Sequence, residues 1–329
     1  MDSHRQGATD VKVSKYVRFE GLQALWRFVS KQNKSFVTGD RTMEKKHTVV
    51  YNSTGKLKRV LLAKPTYYNI MPLSDIARDL YDKGVRPDQQ VWVREHAEFQ
   101  AVFEDLGIEI SWIEQLSPRL PWQASTRDFG VNTPDGVLVG RFRYQERKGE
   151  ERIVKETLEE LGETVLPKQI TCGCVEGGDC FCLDENTLII GNGNRSTYSG
   201  FENAREILAE YGKRVFVVEF LSKWNHLDVI FSPVADKLAI VCRDAVPAYF
   251  IGFLDALGWE LIKVPAEHAY RNEINMLALG DDKVLSFRGN KLNKTVRARG
   301  LNVLDPATET FASAGEGPHC LSFELERER

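Results

Sequence analysis

The sequence predicts an α/β fold built as a five-unit pseudo-symmetric α/β propeller, and three observations carry that expectation. An amphipathic helix, a glycine that stops it and a short apolar strand recur five times along the chain. Each of those helices is preceded by another short apolar strand with a polar lead-in. The stop glycines Gly107, Gly162, Gly212, Gly258 and Gly300 are separated by 55, 50, 46 and 42 residues, periods that belong to arrays and propellers. A solenoid needs near-identical repeats with capping ends. The drifting period and weak side-chain identity suit units closed into a ring, where each can vary its loops.

In chain order, the first unit begins with KLKRVLLAK. Phe99, Val102, Phe103 and Leu106 then follow at helical spacing to Gly107, and Ile108, Ile110 and Trp112 alternate as in a strand. The second unit reads DGVLVGRF, RIVKETLEEL, Gly162 and ETVL; the third NTLIIGNG, ENAREILAEY, Gly212 and KRVFVVEF. The fourth reads DKLAIVC, AYFIGFLDAL, Gly258 and WELIKV; the fifth DKVLSFRG, NKLNKTVRAR, Gly300 and LNVLD. Residues 1–50 stand outside the pattern, with one predicted helix, FEGLQALWRFVSK, between polar stretches. They are expected to form an N-terminal extension packed on the domain surface or on a neighbouring subunit, and residues 51–329 a single domain.

Composition narrows the function. With 329 residues, 42% hydrophobic and 28% charged, the chain can bury a substantial core. Lys+Arg at 44 against Asp+Glu at 47 leaves no basic excess for a nucleic acid or an anionic membrane. No secretory leader and no run of about 18 apolar residues is readable, which places the expected location in the cytoplasm. Six cysteines in a chain of this length fit reduced thiols rather than a disulfide framework.

The polar residues that follow each unit's second strand are the most informative set. They are Thr126-Arg127-Asp128, Glu176-Gly177-Gly178-Asp179, Asn225-His226-Leu227-Asp228, Arg271-Asn272-Glu273 and Gly317-Pro318-His319-Cys320. Glu176, His226 and Asn272 each lie 14 residues past their stop glycine; Asp128 and Cys320 lie 21 and 20 past theirs. Equivalent positions around an axis converge on it, so Asp128, Glu176, His226, Asp228 and Cys320 are expected to share one pocket. Cysteine, histidine and carboxylate together compose an activated thiolate site. His226 and Asp228, two apart on a predicted strand, would face the same side. Several acids beside a Cys–His pair would destabilise the oxyanion of acyl transfer and suit a cationic substrate instead. Any one of these residues alone is more often a cap, a turn former or a core residue; their matched placement across separate units is the signal.

Three further features were weighed. Cys172, Cys174, Cys180 and Cys182 pair as CxC and CxC, whereas zinc knuckles use CxxC, so buried thiols flanking the Glu176–Asp179 turn are preferred over a metal site. GNGNRST lacks the spacing of a phosphate cradle and reads as a turn presenting Arg195. Arg141 and Arg143 follow a strand in the same way, and arginine can hold a substrate carboxylate through two parallel hydrogen bonds.

TRD (126–128), EGGD (176–179), the arginine of GNGNRST (195), HLD (226–228) and GPHCLS (317–322) together resemble the guanidine-modifying superfamily of arginine deiminases, dimethylarginine hydrolases and amidinotransferases, whose fold is the pentein five-unit α/β propeller. The resemblance covers nearly all of residues 55–325. It implies that Cys320 is the nucleophile, His226 the general acid/base and Glu176 its partner. It also implies that Asp128 and Asp228 grip a guanidinium, with Arg195 and, less strongly, Arg143 for the substrate carboxylate. The activity implied is hydrolysis of arginine or a close derivative through a covalent thiouronium adduct, with no metal or organic cofactor; the alternative is amidino transfer from arginine to an acceptor amine. TRD and EGGD look more like arginine deiminases than like the other two groups. A non-catalytic pentein that only binds a ligand or partner is a third reading, and Cys320, His226 and Glu176 together speak against it. The implied partner is a small guanidinium compound, and homo-oligomerisation is left open.

Overall fold

The computed structural model describes residues 49–329 except 71, 73 and 74, so the helix expected in the N-terminal extension lies outside the described residues. The fold is mixed α/β, with fourteen strands in five small sheets among the described residues. In chain order, β1 (Leu57–Ala63), α1 (Asp75–Asp82), α2 (Gln89–Asp105) and β2 (Glu109–Ile113) come first, then β3 (Gly130–Thr133), β4 (Gly136–Val139) and α3 (Glu150–Glu160). β5 (Cys180–Asp184), β6 (Thr187–Asn192), α4 (Tyr198–Ala209) and β7 (Arg214–Glu219) follow. Next are β8 (Phe231–Ala235), β9 (Leu238–Cys242), α5 (Ala248–Ala256), β10 (Glu260–Val264) and α6 (Ala266–Tyr270). The chain continues with β11 (Leu277–Gly280), β12 (Lys283–Leu285), α7 (Asn293–Arg297), β13 (Asn302–Leu304), α8 (Glu309–Ser313) and β14 (Phe323–Arg327).

Four of the five predicted strand–helix–strand crossovers appear in full, and in all five units the helix ends at its glycine. The five stop glycines adopt φ between 67° and 87°, the left-handed conformation that closes a helix without steric cost only when no Cβ is present. α2 buries Trp92, His96, Phe99 and Phe103 on one face and starts at Asp88, whose side chain accepts from the Gln90 amide. The crossovers make β1–β2, β6–β7, β9–β10 and β12–β13 parallel.

Each unit also carries a strand that the apolar pattern did not reveal. A hairpin strand precedes the crossover, as in β3–β4, β5–β6, β8–β9 and β11–β12, all antiparallel. The first sheet obtains that strand from the far end of the chain: β14 pairs antiparallel with β1, Val60 opposite Glu324 and Leu61 opposite Phe323. The second unit departs in the other direction, because ETVL forms no strand and keeps one parallel bridge, Val137 to Val165. Core aromatics join the sheets, Phe231 packing edge-on against both Phe181 and Phe250 at 5.3 and 5.1 Å between centroids. Among the described residues no helix is long and apolar enough to cross a membrane.

Candidate active site

Three short 3-10 turns, 126–129, 177–179 and 227–229, stand immediately before β3, β5 and β8. Asp128 and Asp228 lie within their turns, while Glu176 and His226 are the extended residues just ahead of theirs. His226 and Asp228 are therefore not on a strand as expected, and the tight turn sends them to different partners. The glycine pair of EGGD lets the turns nest. A Cβ at residue 177 would strike the carbonyls of Arg127 and Gly130, and one at residue 178 would lie 2.8 Å from both Asp128 Oδ1 and His226 Cγ.

The five side chains expected to converge are all buried, with direct contacts within two groups, Asp128–His226–Glu176 and Asp228–Cys320. His226 Nε2 lies 3.2 Å from Glu176 Oε2 and 3.5 Å from Asp128 Oδ1. Cys320 Sγ is 3.4 Å from Asp228 Oδ2, which also accepts a 2.9 Å hydrogen bond from His319 Nδ1. His319 stacks on Phe181, with ring centroids 5.0 Å apart. Asn275 accepts from the Cys320 backbone N–H at 3.1 Å and places its Nδ2 3.0 Å from Cys320 Sγ.

The arginines are arranged differently from the expectation. Arg195 is not presented on a turn but fully buried, 2.7 Å from Glu176 Oε2, with Nη1 donating to Asn225 Oδ1 at 3.3 Å. Its guanidinium lies over Trp122 and Tyr144, and a buried arginine needs such a counter-charge and such aromatic cover. Arg143 is exposed; its side chain donates to the Asn194 carbonyl and its backbone N–H to Glu176 Oε1 at 2.9 Å.

Sequence reasoning missed four residues here. Arg147, fully buried, is ion-paired with Asp128 and with Glu150, the latter at 2.7 Å. Its signal was available: Arg147 follows Asp128 by 19 residues, and Arg195 follows Glu176 by the same 19. Glu316, Asn275 and His319 complete the surroundings of Cys320. Glu316 lines a narrow cleft with Trp122, Lys223, Trp224, Asn225 and Tyr270. A broader depression around Asp79, Arg271 and Arg288 contains none of the five.

Charge in the cluster is uneven. Burial pushes the Glu176 carboxyl up, but the Arg195 guanidinium and the His226 hydrogen bond outweigh it and hold the acid well below the usual range. Burial likewise opposes charge on His226, yet Asp128, Asp179 and the bond to Glu176 raise the imidazole to about 9. Glu176 and His226 thus form an ion pair at neutral pH. Burial, then Asp228, Glu316 and Asp128, push the Cys320 thiol well above its ordinary value. Burial and the nearby Asp128 lift Glu316 to about 7. The site at rest holds a protonated thiol among acids, an arrangement that a bound cation would relieve.

Asp128, Glu176 and His226 also bring ligand atoms within 4.8 Å of one another. The paired Arg147 and Arg195 and the protonated His226 already supply positive charge to that set, which works against a metal ion there. The cysteine cluster is not among the donor groups that converge in the described residues. Cys180 and Cys182 are buried thiols, whereas Cys172 is exposed in a bend whose amide donates to Asn203, against the expectation that the whole cluster is buried.

Comparison with known proteins gives consistent results. The family described as N,N dimethylarginine dimethylhydrolase, eukaryotic, matches residues 73–327. The chain is 23% identical over 285 residues to the uncharacterized protein YkgA of Bacillus subtilis, covering 85% of this chain and 96% of that one. It is 24% identical over 278 residues to the N(G),N(G)-dimethylarginine dimethylaminohydrolase of Mycobacterium tuberculosis, covering 83% and 87%. Among solved structures, the N-terminal domain of ArgZ, an arginine dihydrolase from cyanobacteria, superimposes with a TM-score of 0.69 at 21% identity, covering 83% of this chain and 98% of that one. The match falls to the dimethylarginine hydrolase family, whereas the TRD and EGGD motifs had pointed towards the deiminases; arginine deiminases are also among the relatives.

Proposed function

The chain belongs to the eukaryotic N,N-dimethylarginine dimethylhydrolase family within the guanidine-modifying pentein superfamily, and on that premise we propose that it is a cysteine-dependent hydrolase of the guanidinium group of free arginine or a close derivative. The observation that carries this reading is the buried thiol of Cys320 against Asp228, beside the Glu176–His226 ion pair, in a cluster whose acids favour a cation. The five sheets are inferred to stand around a common axis, with residues 1–50 as an extension and 51–329 as one catalytic domain.

In the proposed cycle the substrate guanidinium enters between Asp128 and Asp228, and its positive charge lowers the cost of ionising Cys320, whose proton leaves to solvent. The thiolate forms a bond to the central guanidinium carbon. His226, protonated at rest, gives its proton to the departing nitrogen; the C–N bond breaks, and ammonia or an alkylamine leaves. The neutral imidazole then takes a proton from water, hydroxide adds to the thiouronium carbon, and the C–S bond breaks as the hydroxyl proton passes to the departing sulfur, which releases a ureido product and restores the thiol. Glu176 steadies the imidazolium. Arg195 is the proposed holder of the substrate carboxylate and Arg143 lies at the rim. The cycle calls for no metal or organic cofactor, and amidino transfer draws no support from the comparisons.

The test is to incubate the full chain with arginine, its mono- and dimethylated derivatives and agmatine, and to assay ureido product and released amine by mass spectrometry. Acid quench should trap adduct mass on Cys320, and Cys320→Ser should abolish turnover while remaining folded. Turnover surviving in Cys320→Ser, or adduct on Cys180 instead, would overturn the assignment.

A further inference from the structure

We propose that Asn275 is a catalytic residue of this site, its side-chain amide donating to Cys320 Sγ so that the thiolate can form among acids. The inference rests on Cys320 being the nucleophile.

The orientation of the amide is fixed by its neighbours. The Cys320 backbone N–H can only donate, so the atom facing it at 3.1 Å must be Oδ1. The NH2 group is then turned to Cys320 Sγ at 3.0 Å and to the Asp228 carbonyl at 3.3 Å, both acceptors. The thiol's other neighbours include Asp228, Glu316 and Asp128, each opposing a negative sulfur, the Gly317 backbone N–H, which favours one, and Tyr68 beside Glu316. His319 is spent on Asp228, and Arg147 on Asp128 and Glu150. The amide of Asn275 is thus a neutral donor in direct contact with a sulfur that acids surround.

The repeat supplies an internal control. Asn275 lies 17 residues past the stop glycine Gly258, and Asp179 lies 17 past Gly162. Asp179 Oδ1 accepts the backbone N–H of Leu227 in the next unit at 2.8 Å, the same brace that Asn275 Oδ1 gives Cys320. For bracing, a carboxylate suffices at this register. The fourth unit carries an amide instead, and the atom that distinguishes amide from carboxylate is the one that meets the thiol. An aspartate at residue 275 would add a further acid to the sulfur. Gly317 makes room for the contact, because a Cβ there would collide with Asn275 Oδ1.

The experiment measures the pH dependence of Cys320 alkylation by iodoacetamide in the full chain, read by peptide mass spectrometry so that exposed Cys172 is counted separately, together with kcat/KM against pH. Asn275→Asp keeps the brace; it should stay folded, shift the alkylation midpoint up by at least one pH unit, and lose at least tenfold in kcat/KM at pH 7, with part of the loss recovered at higher pH. Asn275→Ala removes the donor without adding charge and should shift the midpoint in the same direction. Gly317→Ala, which displaces the amide without changing its chemistry, should do likewise and serves if either other variant fails to fold. An unshifted midpoint in a folded variant, with only the melting temperature lowered, would reduce Asn275 to a structural brace and overturn the inference. Turnover surviving in Cys320→Ser would instead sink the nucleophile reading, a separate outcome.

Discussion

Replacing Asp228 by asparagine should move two observables in opposite directions. The carboxylate is fully buried, accepts from His319 at 2.9 Å and sits 3.4 Å from Cys320 Sγ. A guanidinium held about 4 Å away at an effective dielectric of about 20 gains roughly 4 kcal/mol from that charge. At about 1.4 kcal/mol per factor of ten, Asp228→Asn should therefore lower kcat/KM by roughly a thousandfold. The same charge opposes ionisation of the free thiol, so its removal should lower the Cys320 pKa and speed alkylation at neutral pH. The assay pairs steady-state kinetics on arginine or its methylated derivatives with peptide-resolved iodoacetamide labelling in the absence of substrate. If labelling slows together with turnover, or kcat/KM stays within tenfold of the unmodified protein, Asp228 does not hold the cation and the charge argument is wrong.

The remaining predictions concern the two ends of the substrate and the packing between them. Arg195→Lys cannot reproduce the planar fork, so arginine turnover should fall steeply while agmatine, which has no carboxylate, changes little; an equal fall on both substrates would mean that Arg195 acts only through Glu176. Because the proton on His226 is held to about 9, kcat/KM should show a basic limb near that pH. The raised value also contributes stability that is complete below the ordinary 6.5 and lost as pH rises through about 9, so the melting temperature should fall more between pH 7 and 9.5 in the unmodified protein than in His226→Gln; a rate flat to pH 10 would contradict this. Gly178→Ala puts a methyl 2.8 Å from Asp128 Oδ1 and His226 Cγ; it should cost about 1–3 kcal/mol of stability by overpacking, and unchanged kinetics would show the turns to be looser than described.

The periodic parts of the fold were legible because they rest on local rules. A helix that must stop and reverse into a strand needs a left-handed residue, and the glycines that supply it mark all five crossovers. Register then brought Asp128, Glu176, His226, Asp228 and Cys320 together without any contact information. What stayed hidden depends on distant chain. β14, FELER, alternates apolar with charged residues and falls outside the apolar pattern, and nothing local says that its partner is β1. Arg195 looked like a turn residue because its burial is made possible by Glu176, two strands back along the chain, and by Trp122, further off still. Asn275 sat at a readable register, but an asparagine announces no chemistry until the thiol is seen beside it.

The pairing of β14 with β1 sets an order of events during synthesis. Cys320 lies three residues before β14, the strand that completes the first sheet, so thiol and closing strand emerge from the ribosome together. A chain interrupted shortly before them would keep Asp128, Glu176, His226 and Asp228 but not the proposed nucleophile, and would leave an edge of β1 open to pairing with other chains. A truncated product of this kind would lack the thiol on which the proposed chemistry depends, and the same exposed edge would mark it for aggregation or removal. The proposed nucleophile and the strand that closes the first sheet thus arrive in one step of synthesis.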